Sequence, residues 1–412
     1  MQINLKLLTG NKFLKIQKFL TLLRAEIIGM LPSFKDKFVV DIGAGIGIDI
    51  VFTNWLLMYL ADDEAVQFLI NAIKWLRPGG YLHLRESCSE PSSKKSNNSL
   101  HSNSDNINPT KYRFSSAYIQ LLKSIRFESR DGKIWGFKIH WASSVNVYIQ
   151  KNANWRQVHW LVSKIPKPNE DKLMPNLVTM LGEKWPEEQK EWDNKLDLAL
   201  NDKQNLSSSL ASYLLTDGIG PNSVLLVFDF RKNENQPSIN VHTLANKLGS
   251  NIWSISINPF CFRHSLTLAN HNQDRRIRHS WHEDIESAFK FLNEQISGKE
   301  KSISTTFDAI IGIGLIENIK EIKDIGNKIE KILGGYLLSI ETINELNTTQ
   351  VRKNEEITEY LPSESFTKEK IQYKGNNNYL INLVRIEKVK RNLKENNDEK
   401  KVEWFNPING GF

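Results

Sequence analysis

Apolar runs alternate with amphipathic stretches along the first part of the chain. Phe38-Val39-Val40-Asp41-Ile42 is a short apolar run that ends at glycines, and Ile50-Val51-Phe52-Thr53 is a second. Runs of this length bounded by turn residues predict interior parallel strands. Asp62-Asp63-Glu64 then opens a helix that continues to Trp75, because acids in a first turn complement the helix dipole, and Pro78-Gly79-Gly80 is predicted to end it. A strand over residues 81–85 comes next, which completes the strand, helix, strand grammar of an α/β sheet.

The second half repeats this outline. Phe307-Asp308-Ala309-Ile310-Ile311 leads through a helical stretch to Leu333-Gly334-Gly335-Tyr336, as Ile48-Asp49-Ile50-Val51-Phe52 leads to Pro78-Gly79-Gly80-Tyr81. Similar intervals from Asp to Gly suggest a duplicated α/β unit. Between the copies, residues 162–206 are charged and hold Pro166, Pro168, Pro175 and Pro186, a connector with one helix. Residues 89–108 are polar and low in complexity, and predict a surface loop. The expected domains are 1–165, a linker over 166–206, a second α/β domain over 207–390, and a charged tail over 391–412.

Composition narrows the classes. A chain of 412 residues with 40% apolar and 25% charged residues is that of an ordinary globular protein of two or three domains. No apolar run approaches the ~20 residues that span a bilayer, so stable membrane insertion is not expected. The basic, apolar residues 1–24 loosely resemble a targeting segment, but they lack its cleavage and composition signals and read as an amphipathic first helix. Two cysteines, Cys88 and Cys261, are too few for a disulfide framework or a zinc site and suit a reducing, cytoplasmic setting. The net charge of +7 is spread among acids without a basic, aromatic-studded stripe, which argues against nucleic acid as a partner. His83, His140 and His159 have no metal-ligand spacing, and no metal is expected.

The chemistry is carried by Asp41-x-Gly43-x-Gly45-x-Gly47. Glycines after a strand let a cofactor's backbone approach a tight turn. A dinucleotide fingerprint would need glycine at position 48, where the chain has Ile48, so a nicotinamide-dependent oxidoreductase is disfavoured. The observed spacing matches the form found in methyltransferases. The second half offers Leu226-Val227-Phe228-Asp229-Phe230-Arg231 in the equivalent place, with no glycine, and reads as non-catalytic. The chain just after the first glycine loop is unusual. Two strand–helix units of about 30 residues each belong between such a loop and the strand at Asp49, the first of their strands ending in the acid that holds a ribose. Here Gly47 and Asp49 are separated by one residue.

Four strings carry a resemblance. Asp49-Ile-Val-Phe-Thr-Asn-Trp-Leu-Leu-Met-Tyr-Leu60 with Trp75-Leu-Arg-Pro-Gly-Gly-Tyr-Leu-His-Leu-Arg-Glu-Ser-Cys-Ser-Glu-Pro91, then Asn108-Pro-Thr-Lys-Tyr-Arg-Phe-Ser-Ser116, then Asn154-Trp-Arg-Gln-Val-His-Trp160, resemble the phosphoethanolamine N-methyltransferases, in the nematode form whose methyltransferase half is N-terminal. The likeness is strong over about residues 24–165 and weak beyond. It implies a class I, Rossmann-like methyltransferase domain, truncated after Gly47, followed by a degenerate methyltransferase-like α/β domain. It implies S-adenosyl-L-methionine as methyl donor and a small phosphobase as substrate, on the route to phosphocholine. Carried over by position, Asp41, Gly43, Gly45, Gly47 and Asn54 would hold the cofactor and Tyr59 would handle the proton. Ser87, Tyr112, Arg113 and Lys151 would take the substrate phosphate. The missing stretch implies little activity for the chain as it stands; the alternative expectation is an inactive binding or regulatory protein that keeps the phosphobase half.

Overall fold

The computed structural model describes residues 39–40, 47–88, 110–168, 176–200, 206–229, 239–297, 307–313, 328–329, 332–343, 366–374 and 380–388. Asp41, Gly43 and Gly45, the loop over 89–108, residues 1–38 and the tail over 391–412 lie outside them.

The first half begins with β1 (Val39–Val40) and β2 (Ile48–Asn54), which lie parallel with Val40 level with Val51. A short 3-10 turn, Leu57–Tyr59, comes after β2 and precedes α1 (Asp62–Trp75). Glu64 accepts from the Ala61 amide at 2.8 Å and so closes the helix start. Helix α1 ends earlier than Pro78-Gly79-Gly80 suggests, because β3 (Leu76–Ser87) already begins at Leu76 and carries those residues within it. Then come α2 (Ser115–Ser124), β4 (Arg126–Glu128), β5 (Ile134–Ser144), α3 (Asn146–Asn152) and β6 (Gln157–Pro166).

Helix α4 (Trp185–Leu200) crosses the connector, and α5 (Leu206–Thr216) opens the second half. That half contains β7 (Val224–Asp229), α6 (Val241–Leu248), β8 (Asn251–Ser256), α7 (Pro259–Asn272), β9 (Ile277–Trp281), α8 (Ile285–Ser297), β10 (Phe307–Ile313), β11 (Leu333–Ile343), β12 (Phe366–Lys374) and β13 (Leu380–Lys388).

The strands form one sheet in the order β1-β2-β3-β6-β5-β9-β8-β7-β10-β11-β13-β12, with β4 beside β5. In the second half β9, β8, β7, β10 and β11 run parallel, and the antiparallel β13 and β12 finish the edge. The first half has the same scheme over β1, β2, β3, β6 and β5, with β2 and β3 parallel and β6 antiparallel to β3. Both halves share a local irregularity: the register shifts between Ile48 and Ile50 against β3, and between Phe307 and Ala309 against β11. Glycine is needed there in each copy. A Cβ on Gly80 would lie 2.9 Å from the Ile48 carbonyl oxygen, and one on Gly335 would overlap that of Asp308. The halves differ at the other flank. β7 is followed outward by β8 and β9, whereas among the described residues β1 ends the sheet.

The two halves are fused rather than strung together. β5 pairs with β9 through Ala142 with Trp281 and Ser143 with Ser280. Trp281 and Phe262 of the second half pack in the first half's core with Trp155, Trp160 and Tyr118, while Trp141 and Leu161 of the first half pack with Trp253 and Phe289 of the second. Cys88 and Cys261 are both buried, and neither forms a disulfide.

Candidate functional site

Open α/β sheets bind ligands beyond the carboxyl ends of their strands. At that end of β2 the chain exposes Asn54 and turns through Trp55, whose φ of 55° lies in the left-handed region. The adjoining 3-10 turn buries Leu57 and Met58 and leaves Tyr59 55% exposed. A buried carboxylate holds this turn. Glu86, near the carboxyl end of β3, accepts from the amides of Leu56 (3.1 Å), Leu57 (2.9 Å) and Met58 (3.2 Å). Burial pushes its carboxyl up to about 7, against the pull of those amides and of Arg113.

The segment after Thr110 packs on the same turn, with the Lys111 amide donating to the Met58 carbonyl at 2.7 Å. Tyr112 is half-buried on this segment. Arg113 is next, and here the structure corrects the expectation of a phosphate contact. Its side chain is 3% exposed; Nε donates to Asp62 at 2.8 Å, and the two terminal nitrogens donate to the carbonyls of Leu57 (2.6 Å) and Leu60 (2.7 Å). A guanidinium with its donors spread over one carboxylate and two carbonyls serves the scaffold. Asp62, in turn, is more than a helix-start acid, since it is buried and paired with both Arg113 and Lys111. Replacing Arg113 with Met should cost about 3–5 kcal/mol, the usual penalty for leaving one partner of a buried pair behind. Urea denaturation measures it, and a loss within error of zero would remove Arg113 from the scaffold.

On the other face of β3 lie Tyr81, His83, Arg85 and Ser87, since alternate residues share a face. Arg85, 1% exposed, lies 4.4 Å from the Trp55 ring and 4.9 Å from the Tyr148 ring, and donates to the Tyr148 hydroxyl at 2.9 Å. Gln157, opposite Ser87 at the start of β6, accepts from the Trp55 indole at 2.8 Å and donates to the Ser87 hydroxyl at 3.0 Å. Ser87 is thus 2% exposed and already occupied by Gln157. Lys151 stands exposed in the last turn of α3, one turn beyond Tyr148. Deeper on this face His83 and His159 face each other at 3.3 Å, both fully buried, and burial holds the first down to about 3 and the second well below the ordinary imidazole value. They are core histidines. Among the described residues no group of three or more His, Cys, Asp or Glu side chains could hold a metal ion.

The structure therefore gathers Asn54, Tyr59, Ser87, Tyr112 and Arg113 at one end of the sheet, and leaves Lys151 exposed in the last turn of α3. Gly47 is placed elsewhere. It precedes β2, its amide donating to the Trp75 carbonyl at 2.9 Å with φ at 99°, so the length of a seven-residue strand, about 23 Å at 3.3 Å per residue, separates it from Asn54. Sequence reasoning missed Glu86, Arg85, Gln157 and Tyr148. The available signal was a pair of charges, Arg85-Glu86, directly after the strand-forming run Tyr81-Leu82-His83-Leu84.

A mainly parallel α/β sheet, duplicated in one chain, with its candidate side chains beyond the strand ends, defines a Rossmann-like α/β protein. No family model matches the chain. Among characterised proteins, phosphoethanolamine N-methyltransferase 1 of Caenorhabditis elegans is 32% identical over 384 residues, covering 80% of this chain and 78% of that protein. A wheat phosphoethanolamine N-methyltransferase 1 is 27% identical over 207 residues, or 36% of this chain and 39% of the plant protein. The solved phosphoethanolamine N-methyltransferase 1 of Haemonchus contortus, in complex with phosphoethanolamine and S-adenosylhomocysteine, superposes with a TM-score of 0.68 at 34% identity, over 83% of this chain and 74% of that one. The second Haemonchus contortus enzyme, at 13% identity and a TM-score of 0.56, shares the fold. The chain belongs to the phosphoethanolamine N-methyltransferases.

Proposed function

We propose that this protein derives from an S-adenosylmethionine-dependent enzyme that methylates the amine of phosphoethanolamine toward phosphocholine, and that the chain as it stands keeps the phosphobase side of that site while its cofactor side is interrupted. The observation that carries the reading is the unequal strand order of the two halves. The second half supplies a full template, β9-β8-β7-β10-β11-β13-β12, and the first half runs through the same series without counterparts of β8 and β9 among the described residues.

The connection between β1 and β2 supports it. Adjacent parallel strands need a crossover of a dozen or more residues, and only residues 41–47 separate these two. The alignment lengths support the reading. That with the C. elegans enzyme runs over 384 positions, whereas 80% of 412 residues is about 330, so about 54 positions have no residue here. With the wheat enzyme, 207 positions against 36% of 412, about 148, leave about 59.

The residues present do not fit the whole cofactor. No strand beyond β1 offers the ribose-binding acid among the described residues, and Gly47 sits at the wrong end of β2. On the substrate side the chain's own groups suit a phosphobase. Tyr112 and Lys151 offer hydroxyl and ammonium donors for a phosphate, whereas Ser87, also expected there, is buried against Gln157. An ammonium must lose a proton before its nitrogen can accept a methyl group, and Tyr59 is the phenol exposed on this turn. Two buried cysteines without a disulfide suit a cytoplasmic setting, and no helix among the described residues is long and apolar enough to cross a membrane.

The test uses a form with the missing segment restored between Gly47 and Ile48. It should methylate phosphoethanolamine; Tyr59→Phe should lower kcat by about 100-fold or more with KM little changed, the usual scale for a general acid–base group, and Gly45→Val should abolish S-adenosylmethionine binding in calorimetry. A restored form that leaves phosphoethanolamine unmethylated contradicts the reading.

A further inference from the structure

We propose that Glu86 is a positioning residue of this site: its carboxylate grips the amides of Leu56, Leu57 and Met58, and with Arg113 on the opposite side it fixes the turn that presents Tyr59. The inference rests on the reading of Tyr59 as the proton-handling group, and it adds how that group is aimed.

The two charges divide the backbone of the turn between them. Glu86, with no exposed surface, takes three N–H groups, and Arg113, 4% exposed, takes the Leu57 and Leu60 carbonyls. Charge-assisted bonds of this kind are about twice as strong as neutral ones. Leu57 and Met58 anchor the turn in the core, and Tyr59, between Met58 and Leu60, is the residue left facing outward. Trp55 and Tyr59 are, with Val178 and Leu215, the large apolar side chains exposed among the described residues, so this turn presents aromatic surface that the core does not demand. Nothing in Glu86's alternation on β3 requires an acid either: Leu82 and Leu84 share its face and are buried apolar residues. A carboxylate in that row is costly unless its bonds are needed.

The groups facing Glu86 make its charge separable from theirs. Arg113 comes from the segment before α2, Tyr118 from α2, Cys88 from the end of β3, and Arg263 of α7 acts on Cys88. Burial, reinforced by Glu86's own charge, holds the Tyr118 phenol and the Cys88 thiol well above their ordinary values, so both keep their protons near neutrality. Between pH 8.5 and 6 the group of this cluster that changes charge is Glu86, which burial brings to about 7. On gaining a proton it loses acceptor strength toward the turn.

The experiment needs no turnover, so it stands apart from whether Tyr59 moves a proton. The chain has five methionines and ten tyrosines, few enough for amide spectra of the 412-residue protein labelled with nitrogen-15 at Met and Tyr, with Met58 and Tyr59 assigned by Met58→Leu and Tyr59→Phe. Both amide signals should move together from pH 8.5 to 6 with a midpoint near 7, and neither should move in Glu86→Gln. A Met58 signal that is flat in the unmodified protein overturns the clamp, and this measurement holds even if Glu86→Gln fails to fold. A Met58 signal that titrates while Tyr59 stays fixed overturns the positioning role. A further arm, Glu86→Gln in the restored form, should lower kcat about 10-fold and flatten the acid side of its pH profile, with KM for phosphoethanolamine unchanged.

Discussion

Between pH 7.5 and pH 5 the protein should lose most of its folding stability. His83, His159, His279 and His282 are fully buried, and burial is the first cause holding each below the ordinary imidazole value of 6.5, His83 and His282 at about 3. A folded-state pKa below the unfolded one means the native form binds fewer protons, so stability is present above pH 6.5 and falls as pH drops. Each ring kept neutral costs about 1.4 kcal/mol per pH unit below 6.5, about 2 kcal/mol at pH 5 and about 8 kcal/mol for the four. His140 and His242, both held at about 4, add to the same side. Glu86 opposes them, because its raised pKa makes the native form gain stability as pH falls from about 7 toward 4.5, by about 3 kcal/mol at most. The balance is comparable to the whole stability of a typical protein, 5–15 kcal/mol. Urea unfolding followed by tryptophan fluorescence should therefore show a midpoint that collapses by pH 5, and His83→Phe, which keeps the stack on Phe52, should recover about 2 kcal/mol there. Equal stability at pH 7.5 and 5 would mean that these rings are not buried and neutral.

The second large effect concerns catalysis. The 412-residue chain should methylate phosphoethanolamine at less than about one hundredth of the rate of a restored form, because misplacement of one reactant by a single ångström can already cost that much. On the proposed reading, the strands that would correspond to β8 and β9 carry the ribose acid and a wall of the cofactor pocket, and without them Tyr59 and the proposed phosphobase groups would act on a nucleophile that has no aligned methyl donor. The seam with the second half offers no replacement: β7 ends at a buried Asp229, and that half has no glycine turn after the strand among the residues described.

Much of this was legible in the chain. The Asp and Gly-Gly punctuation of each copy marks a β-bulge and a close strand approach that only glycine permits, so Asp49 with Gly79-Gly80 and Asp308 with Gly334-Gly335 announced the duplication. The proposed interruption after Gly47 rests on the minimum length of a crossover, which the spacing from Gly47 to Asp49 does not meet. The residues that escaped are those whose partners are backbone atoms far along the chain. Arg113 in Lys-Tyr-Arg-Phe reads as a ligand contact or a surface charge, and its true partners, the carbonyls of Leu57 and Leu60, leave no mark in side-chain patterns. Glu86 escaped for the same reason, its acceptors being spent on amides some 30 residues earlier. Gly47 was placed with the cofactor loop by spacing alone. Spacing gives no warning that, without a crossover, the last glycine must turn at the opposite end of the sheet.

The most direct test of the interrupted enzyme is turnover with radiolabelled S-adenosylmethionine and phosphoethanolamine, measured side by side for the purified 412-residue chain and the form with its segment restored after Gly47. The expected result is robust methyl transfer in the restored form and at least about a 100-fold lower rate in the chain as it stands. Comparable turnover in the two would contradict an interrupted cofactor site and would mean that other residues of this chain build one.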